Sequence, residues 1–166
     1  MNAFTLPDRT SGMATSFDRA QFYRAADQWV NANDHEYVDA ADYSNLNWTP
    51  GIDRAEQIFQ TSRVSIPATT SAGKTMMKHA NAFANKNNVN IGINGMARPQ
   101  AVQDYMRQQP RMMGGRAVKF STHRQGAVDF NYVDGPGGRL TEQFKKYMKS
   151  KGYKVLDHAG HIHISP

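Results

Sequence analysis

The stretch at residues 153–165, YKVLDHAGHIHIS, contains two short runs of alternating polar and apolar residues separated by Ala159 and Gly160. Alternation with a period of two is typical of strands that bury one face, and a glycine suits the turn between them. In the second run, His161 and His163 would lie on one face of the strand and the isoleucines on the other. The stretch therefore predicts two joined strands that present a pair of imidazoles side by side.

The sequence before these strands mixes helical and strand periods. Apolar residues recur at helical spacing over residues 71–87 and 140–148, and Gly152 is placed to end the second helix. A short helix is predicted after Pro99, and strands are predicted around residues 89–93, 118–120 and 127–132. Because these elements follow no regular βαβ repeat, we predict an α+β fold in which helices flank a small antiparallel sheet.

The first 66 residues carry no motif that points to chemistry. Residues 1–16 are rich in Gly, Ser, Thr and Pro and predict a flexible arm, whereas residues 17–66 predict a helical extension. Within that extension we interpret residues 31–51 as a long polar loop in which His35 is exposed. Residues 67–166 are therefore the part of the chain in which we expect the function to reside.

Composition excludes several classes of protein. The chain has no cysteine, which excludes disulfides, thiolate metal sites and a cysteine nucleophile, so any metal must be bound by histidines and carboxylates. No stretch offers the roughly 20 apolar residues of a membrane span, and residues 1–10 lack the apolar core of a signal peptide. The net charge of +6 favours an anionic partner, which could be nucleic acid, a membrane surface or an acidic cell-wall polymer.

Four of the six histidines lie near the end of the chain, at positions 123, 158, 161 and 163. Neutral imidazoles and carboxylates are good zinc ligands, and catalytic zinc sites commonly use three of them and leave a fourth position for water. His123, Asp129 and one of the terminal histidines would supply such a set. A His-x-His pattern is also compatible with a solvated strand face, and this alternative stays open on the spacing alone.

The segment STHRQGAVDF at residues 121–130 resembles the Ser-x-His-x-x-Gly-x-Ala-x-Asp signature of zinc D-Ala-D-Ala carboxypeptidases and L-alanyl-D-glutamate endopeptidases. That family shares its fold with lysostaphin-type peptidases and the Hedgehog signalling domain. The terminal HAGHIHIS is similar to the closing strand of the family, NGMARP at residues 94–99 to its Ser-Gly-Tyr-Arg-Ser segment, and Gly114-Gly115 to its glycine pair. The resemblance covers about residues 70–166.

The resemblance implies a zinc site and the groups around it. Its zinc ligands would be His123, Asp129 and His163. The first histidine of the His-x-His pair, His161, would move the proton of the attacking water, and His158 is the second choice for that role.

The resemblance also implies groups that contact the substrate. Arg98 matches an arginine associated with the substrate, and it could stabilise an oxyanion or bind a carboxylate. Arg107, Arg111 or Arg116 could take over this role, and of these we assign Arg116 to substrate binding. Ser121 matches the family serine two positions before the first ligand and is assigned to substrate binding as well.

Two departures from the family pattern concern catalysis. His123 and Asp129 are six positions apart, whereas the family usually has seven. Many members carry an acidic residue as general base three positions before the last ligand, where this chain has Gly160. A histidine must then act as the base, or no hydrolysis occurs.

The resemblance thus implies a zinc peptidase of bacterial peptidoglycan, of the kind that phages use as a free lytic enzyme or carry in the virion. It would act in the periplasm or cell wall, without a signal peptide, and residues 1–66 would be free to contact other virion proteins. The alternative is a non-catalytic zinc-binding or wall-binding virion protein of the same fold. A nucleic-acid-binding protein is disfavoured because no recognised motif supports it.

Overall fold

The computed structural model of the protein describes residues 27–48, 66–98, 121–158 and 160–166. The predicted arm at residues 1–16, the short helix after Pro99 and the strand at residues 118–120 lie outside the described residues. Only residues 27–48 and Ile66 of the predicted helical extension are described.

Two β-sheets organise these residues. The smaller sheet pairs two short antiparallel strands, Glu36–Tyr37 (β1) and Ala68–Thr69 (β3). The larger sheet has five strands in the order β2-β4-β5-β7-β6. Its strands are Leu46–Trp48 (β2), Ile91–Gly95 (β4), Val128–Phe130 (β5), Lys154–His158 (β6) and His161–Ser165 (β7). β2 runs parallel to β4, and the other pairings are antiparallel.

Two α-helices of the described region pack against the larger sheet, and residues 27–32 are also helical. Helix α1 spans Ser71–Lys86. Thr70 caps its N-terminus, since the Thr70 hydroxyl accepts a hydrogen bond from the Gly73 N–H. Helix α2 spans Arg139–Ser150. Short 3₁₀ turns occupy Ala40–Asp42 and Thr122–Gln125. None of the helices described is long and apolar enough to cross a lipid bilayer.

The core lies between the two α-helices and one face of the larger sheet. Phe83 of α1 and Phe144 of α2 have ring centroids 5.2 Å apart, and Phe130 of β5 meets Phe144 edge-on at 5.5 Å. The alternating residues of β4, β5 and β7 on this side are buried, namely Ile91, Ile93, Val128, Phe130, Ile162 and Ile164. The opposite side of the same strands is therefore left to glycine and polar residues.

The structure confirms several elements that periodicity predicts. The helices at residues 71–87 and 140–148 are present. A strand at Ile91–Gly95 overlaps the predicted stretch at 89–93, and Val128–Phe130 lies within the stretch at 127–132. Residues 153–165 form two antiparallel strands joined at Gly160. Mixed helices and sheets are compatible with the predicted α+β class. The sheet is not wholly antiparallel, because β2 adds a parallel pairing at one edge.

Two expectations for the N-terminal half are wrong. Residues 31–51 are not all loop, since β1 and β2 both lie within them. His35 is not exposed but 5% accessible, because its ring packs on Trp29 with centroids 5.0 Å apart. Local polarity reveals neither the pairing of β1 and β2 with later strands nor the packing of His35 on Trp29.

Candidate metal centre

Asp129 and His163 form the middle of the candidate site. They lie directly opposite each other on the antiparallel strands β5 and β7, so their side chains lie on the same face of the sheet. His163 Nδ1 is 2.7 Å from Asp129 Oδ1. On the other side of Asp129 the register partner is Gly95, and a Cβ built there would lie 2.7 Å from Asp129 Oδ2. The absent side chain of Gly95 thus makes room for the carboxylate.

His123 reaches the same point from the 3₁₀ turn that precedes β5. The Ser121 hydroxyl begins this turn by accepting a hydrogen bond from the His123 N–H, and Gly126 ends it in the left-handed conformation at φ 97°. His123 Nδ1 lies 2.9 Å from the Ala127 carbonyl, to which it donates. This bond leaves Nε2 as the acceptor nitrogen, and Nε2 lies 3.2 Å from Asp129 Oδ2.

These three residues could hold a metal ion. His123, Asp129 and His163 each offer one ligand atom, and all three atoms lie within 4.8 Å of one another. Tetrahedral coordination with bonds of about 2.0–2.1 Å puts ligand atoms roughly 3.3 Å apart, and the contacts of Asp129 with His163 at 2.7 Å and with His123 at 3.2 Å lie near this spacing. Two imidazoles and one carboxylate are also a donor set that suits zinc.

A threonine hydroxyl contacts the second ring nitrogen of His163. Thr122 Oγ1 is 2.7 Å from His163 Nε2, on the opposite edge of the ring from Asp129. If Nδ1 bound a metal, Nε2 would carry the proton and donate a hydrogen bond to the Thr122 oxygen. Such outer contacts of a ligating histidine fix its tautomer and ring orientation.

The charges of the site favour the protonation states that a metal needs. Burial raises the pKa of Asp129, but the neighbouring His123, its close contacts with both histidines and the Arg98 charge outweigh burial and hold that pKa well below its ordinary value. Burial lowers the pKa of His123, with further lowering from Arg98 and His163, against the opposing effect of Asp129. An ionised carboxylate and a neutral imidazole are the forms that bind metal.

The two remaining terminal histidines lie beside this group. His161 is half-buried with Nε2 3.6 Å from Asp129 Oδ1, and burial is the main cause of its lowered pKa. Its ring stacks on that of His158 with centroids 5.2 Å apart, and His158 meets His163 edge-on at 5.5 Å. The Tyr132 hydroxyl donates to the His158 carbonyl and supports the end of β6.

The other predicted site residues have different surroundings. Arg98 Nη2 lies 3.7 Å from Asp129 Oδ2, so the arginine does reach the site and contacts a ligand. Ser121 is buried, and its contact with the His123 N–H is a structural one. Arg116 lies outside the described residues. The substrate roles assigned to these three residues stay predictions.

Sequence reasoning missed three residues that shape the site. The only sequence signal for a role of Thr122 is its position next to the predicted ligand His123. Gly95 leaves room for the Asp129 carboxylate because it has no side chain. The sequence does not predict this, since it depends on the register of β4 and β5. His35 Nε2 lies 3.5 Å from the His123 carbonyl across 88 positions of sequence, a contact that no local pattern predicts.

Comparisons of the chain with protein-family models, curated proteins and solved structures gave no match. Function is therefore inferred from the residues of the site and from the signature at residues 121–130.

Proposed function

We propose that the protein is a zinc-dependent peptidase that hydrolyses an amide bond in the stem peptides or cross-links of bacterial peptidoglycan. The convergence of His123, Asp129 and His163 at one point of the sheet is the observation that carries the proposal. These are the residues to which the signature assigns the metal. A Hedgehog-type or D-Ala-D-Ala-peptidase-like fold is part of the same proposal.

Zinc held by these residues would supply a Lewis acid for an amide carbonyl and would lower the pKa of water towards about 7. The protein must add a group that accepts the proton of water and returns it to the leaving amine. His161 is next to the ligand carboxylate and half-buried, so it is the first choice for this base. His158, stacked on it, is the second.

Arg98 has a narrower role than a free guanidinium would have. Its contact with Asp129 positions the carboxylate and offsets part of its negative charge, and the remaining positive field of the guanidinium can act on charge that develops nearby. We assign that field to the developing oxyanion. The net charge of +6 would assist docking on an anionic wall.

The protein would be a phage lytic enzyme or a virion-borne hydrolase, and it would act in the periplasm or cell wall. In that setting, residues 1–66 are available for contacts with other virion proteins. Peptidoglycan would be the substrate and zinc the cofactor.

A second candidate function is a non-catalytic zinc-binding or wall-binding virion protein of the same fold. The residue at position 160 favours it, because Gly160 supplies no carboxylate at the place of the family base. In this case the metal would stabilise the sheet and the terminal histidines would have no part in hydrolysis.

Metal analysis combined with muropeptide digestion separates the two candidates. The wild type is expected to bind one zinc and release peptide fragments, and His163→Ala is expected to lose both. His79→Ala is the matched control, because His79 on α1 is half-buried and bonded to Tyr153, away from the three ligands. Zinc binding without fragment release by the wild type would establish the non-catalytic candidate, and absence of both would contradict the proposal.

A further inference from the structure

An exposed leucine lies directly beside the candidate metal centre. In the register of β6 and β7, Leu156 is the partner of His163. Directly opposed residues of an antiparallel pair have Cβ atoms roughly 4.5–5.5 Å apart and project from the same face of the sheet. Leu156 is therefore the neighbour of a ligand on the side opposite Asp129.

The contacts of the alternate residues in β6 fix this orientation. Val155 packs against the core, and Asp157 accepts a bond of 2.7 Å from Lys145 of α2. These two side chains therefore lie on the helix side of the sheet. Because successive side chains of a strand alternate, Lys154, Leu156 and His158 project from the metal side.

The exposure of Leu156 is unusual for this chain. It is 41% accessible, and among the described residues only Tyr37, at 42%, is a large hydrophobic residue of comparable exposure. Tyr37 lies on the smaller sheet and its hydroxyl bonds to Asp27. Leu156 instead offers apolar surface on a face whose other side chains are polar or charged, and an apolar group of a ligand would cover it favourably.

An exposed cation continues the same face. Lys154 is two residues from Leu156 on β6, so the two side chains emerge about 6.8 Å apart. An extended peptide has the same spacing between alternate side chains. A peptide lying along β6 would thus place an apolar side chain on Leu156 and a carboxylate near Lys154 at the same time.

We propose that Leu156 and Lys154 form a substrate subsite for an extended peptide with an apolar side chain next to the reacting amide and a carboxylate two residues away. The part that concerns the reacting amide rests on the proposed peptidase function. The binding preference itself does not depend on hydrolysis.

Calorimetric titration of the zinc-loaded protein with short peptides tests this subsite. The probes are N-acetyl-Ala-Gly-Gly with L- or D-alanine, N-acetyl-Gly-Gly-Gly, and the C-terminal amide of each. Chromatography after each titration shows whether the probe is intact, and KM replaces Kd for any probe that is cleaved. The wild type is expected to bind one alanyl probe about fourfold more tightly than the glycyl probe, the effect of one buried methyl group.

Two neighbouring variants separate binding from folding. Leu156→Ala is expected to lose the alanine preference without a lower melting temperature, because its side chain is exposed. Val155→Ala, one position away on the opposite face, is expected to lower the melting temperature and keep the preference. Lys154→Gln is expected to remove the preference for the free carboxylate over the amide.

An alanine preference that persists in Leu156→Ala, or a wild type that shows none, would overturn the subsite. If muropeptides are not digested but the probes bind with a preference that depends on Leu156, the peptidase function fails and the subsite stands. If digestion occurs and the preference does not depend on Leu156, the peptidase function stands and the subsite fails.

Discussion

At the scale of single residues, the hydroxyl of Thr122 is expected to control the affinity of the candidate centre for the proposed zinc through His163. Thr122→Val removes the acceptor at His163 Nε2 and leaves the ligands in place, so zinc affinity should fall about 10- to 100-fold, the usual range for outer partners of a metal site. Competition with a chromophoric chelator measures the change. Thr75→Val on α1 is the control, since Thr75 is also exposed and bonds only to its own helix at Ser71. Equal affinities of the two variants would contradict the role of Thr122.

A residue of the site can be predicted from the sequence when a local pattern or motif indicates its role, and cannot when its role depends on a long-range contact. His161 and His163 alternate with isoleucines, so a period of two is enough to place them on one face of a strand. His123 and Asp129 follow from the signature around them. Thr122 and His35 act through bonds to partners 41 and 88 positions away, and such contacts are created only when the sheet and the turn assemble.

At the scale of elements, the turn that carries His123 depends on the space around Gly126. Gly126 has φ 97°, and a Cβ there would collide with the Thr70 hydroxyl and lie about 3.0 Å from the Gly73 nitrogen at the start of α1. Gly126→Ala is expected to lower both the melting temperature and the zinc affinity. The left-handed backbone alone costs about 1–2 kcal/mol for alanine, and the contact with α1 adds to this.

Gly135→Ala is the matched control for this turn. Gly135 has a nearly identical φ of 96° and nothing within 4 Å of a built Cβ. Its substitution therefore carries the backbone cost without the contact, and it should leave the zinc affinity unchanged. If both variants lose the same stability and keep their zinc affinity, the packing of α1 on the turn has no influence on the metal centre.

The start of α2 is expected to make stability depend on pH through Asp134. Its carboxylate accepts bonds of 2.9 Å from the N–H groups of Leu140 and Thr141, and these bonds lower its pKa. A carboxyl whose pKa is lowered in the folded state stabilises the fold at pH values above its ordinary pKa near 3.9. This stabilisation is lost as the pH falls through the lowered pKa. Asp134→Asn should therefore melt below the wild type at pH 7, and the difference should shrink towards pH 2.

Thermal melts across this pH range check the assignment to Asp134. Asp42→Asn provides the comparison, because Asp42 is an exposed carboxylate in a 3₁₀ turn. It shows the effect of removing an exposed carboxylate that does not begin α2. A difference between Asp134→Asn and wild type that is constant with pH would show that the charge has no part in capping α2.

At the scale of the whole molecule, the N-terminal half contributes more than the sequence predicts. β2 is only three residues long, too short for a period to be recognised, yet it pairs with β4 and buries Leu46 in the core of the larger sheet. Trp29 packs on a second cluster formed by Val30, Ile66, Ala68 and Ala97. Composition predicts a boundary of the functional region near residue 67. It does not reveal that the segment before this boundary pairs with the larger sheet, because pairing across such distances leaves no mark in local composition.

Residues 27–48 and the metal centre are therefore expected to unfold as one cooperative unit. Both tryptophans, Trp29 and Trp48, lie in this N-terminal segment, so their fluorescence reports it, whereas far-ultraviolet circular dichroism reports the whole fold. Zinc at 100 times its Kd stabilises a folded protein by about 2.7 kcal/mol. It should raise the midpoints of both signals by the same amount, although the ligands lie elsewhere in the chain. A zinc shift seen by circular dichroism but not by tryptophan fluorescence would show that the segment folds independently of the centre.

Leu46→Ala tests the same coupling from the opposite side. Loss of this buried side chain should cost about 2–5 kcal/mol, and in a single cooperative unit the cost appears equally in both signals. The free energy that zinc adds at saturation should be the same as in wild type, because Leu46 touches none of the ligands. A variant that lowers only the fluorescence midpoint would place the N-terminal segment outside the unit that binds the metal.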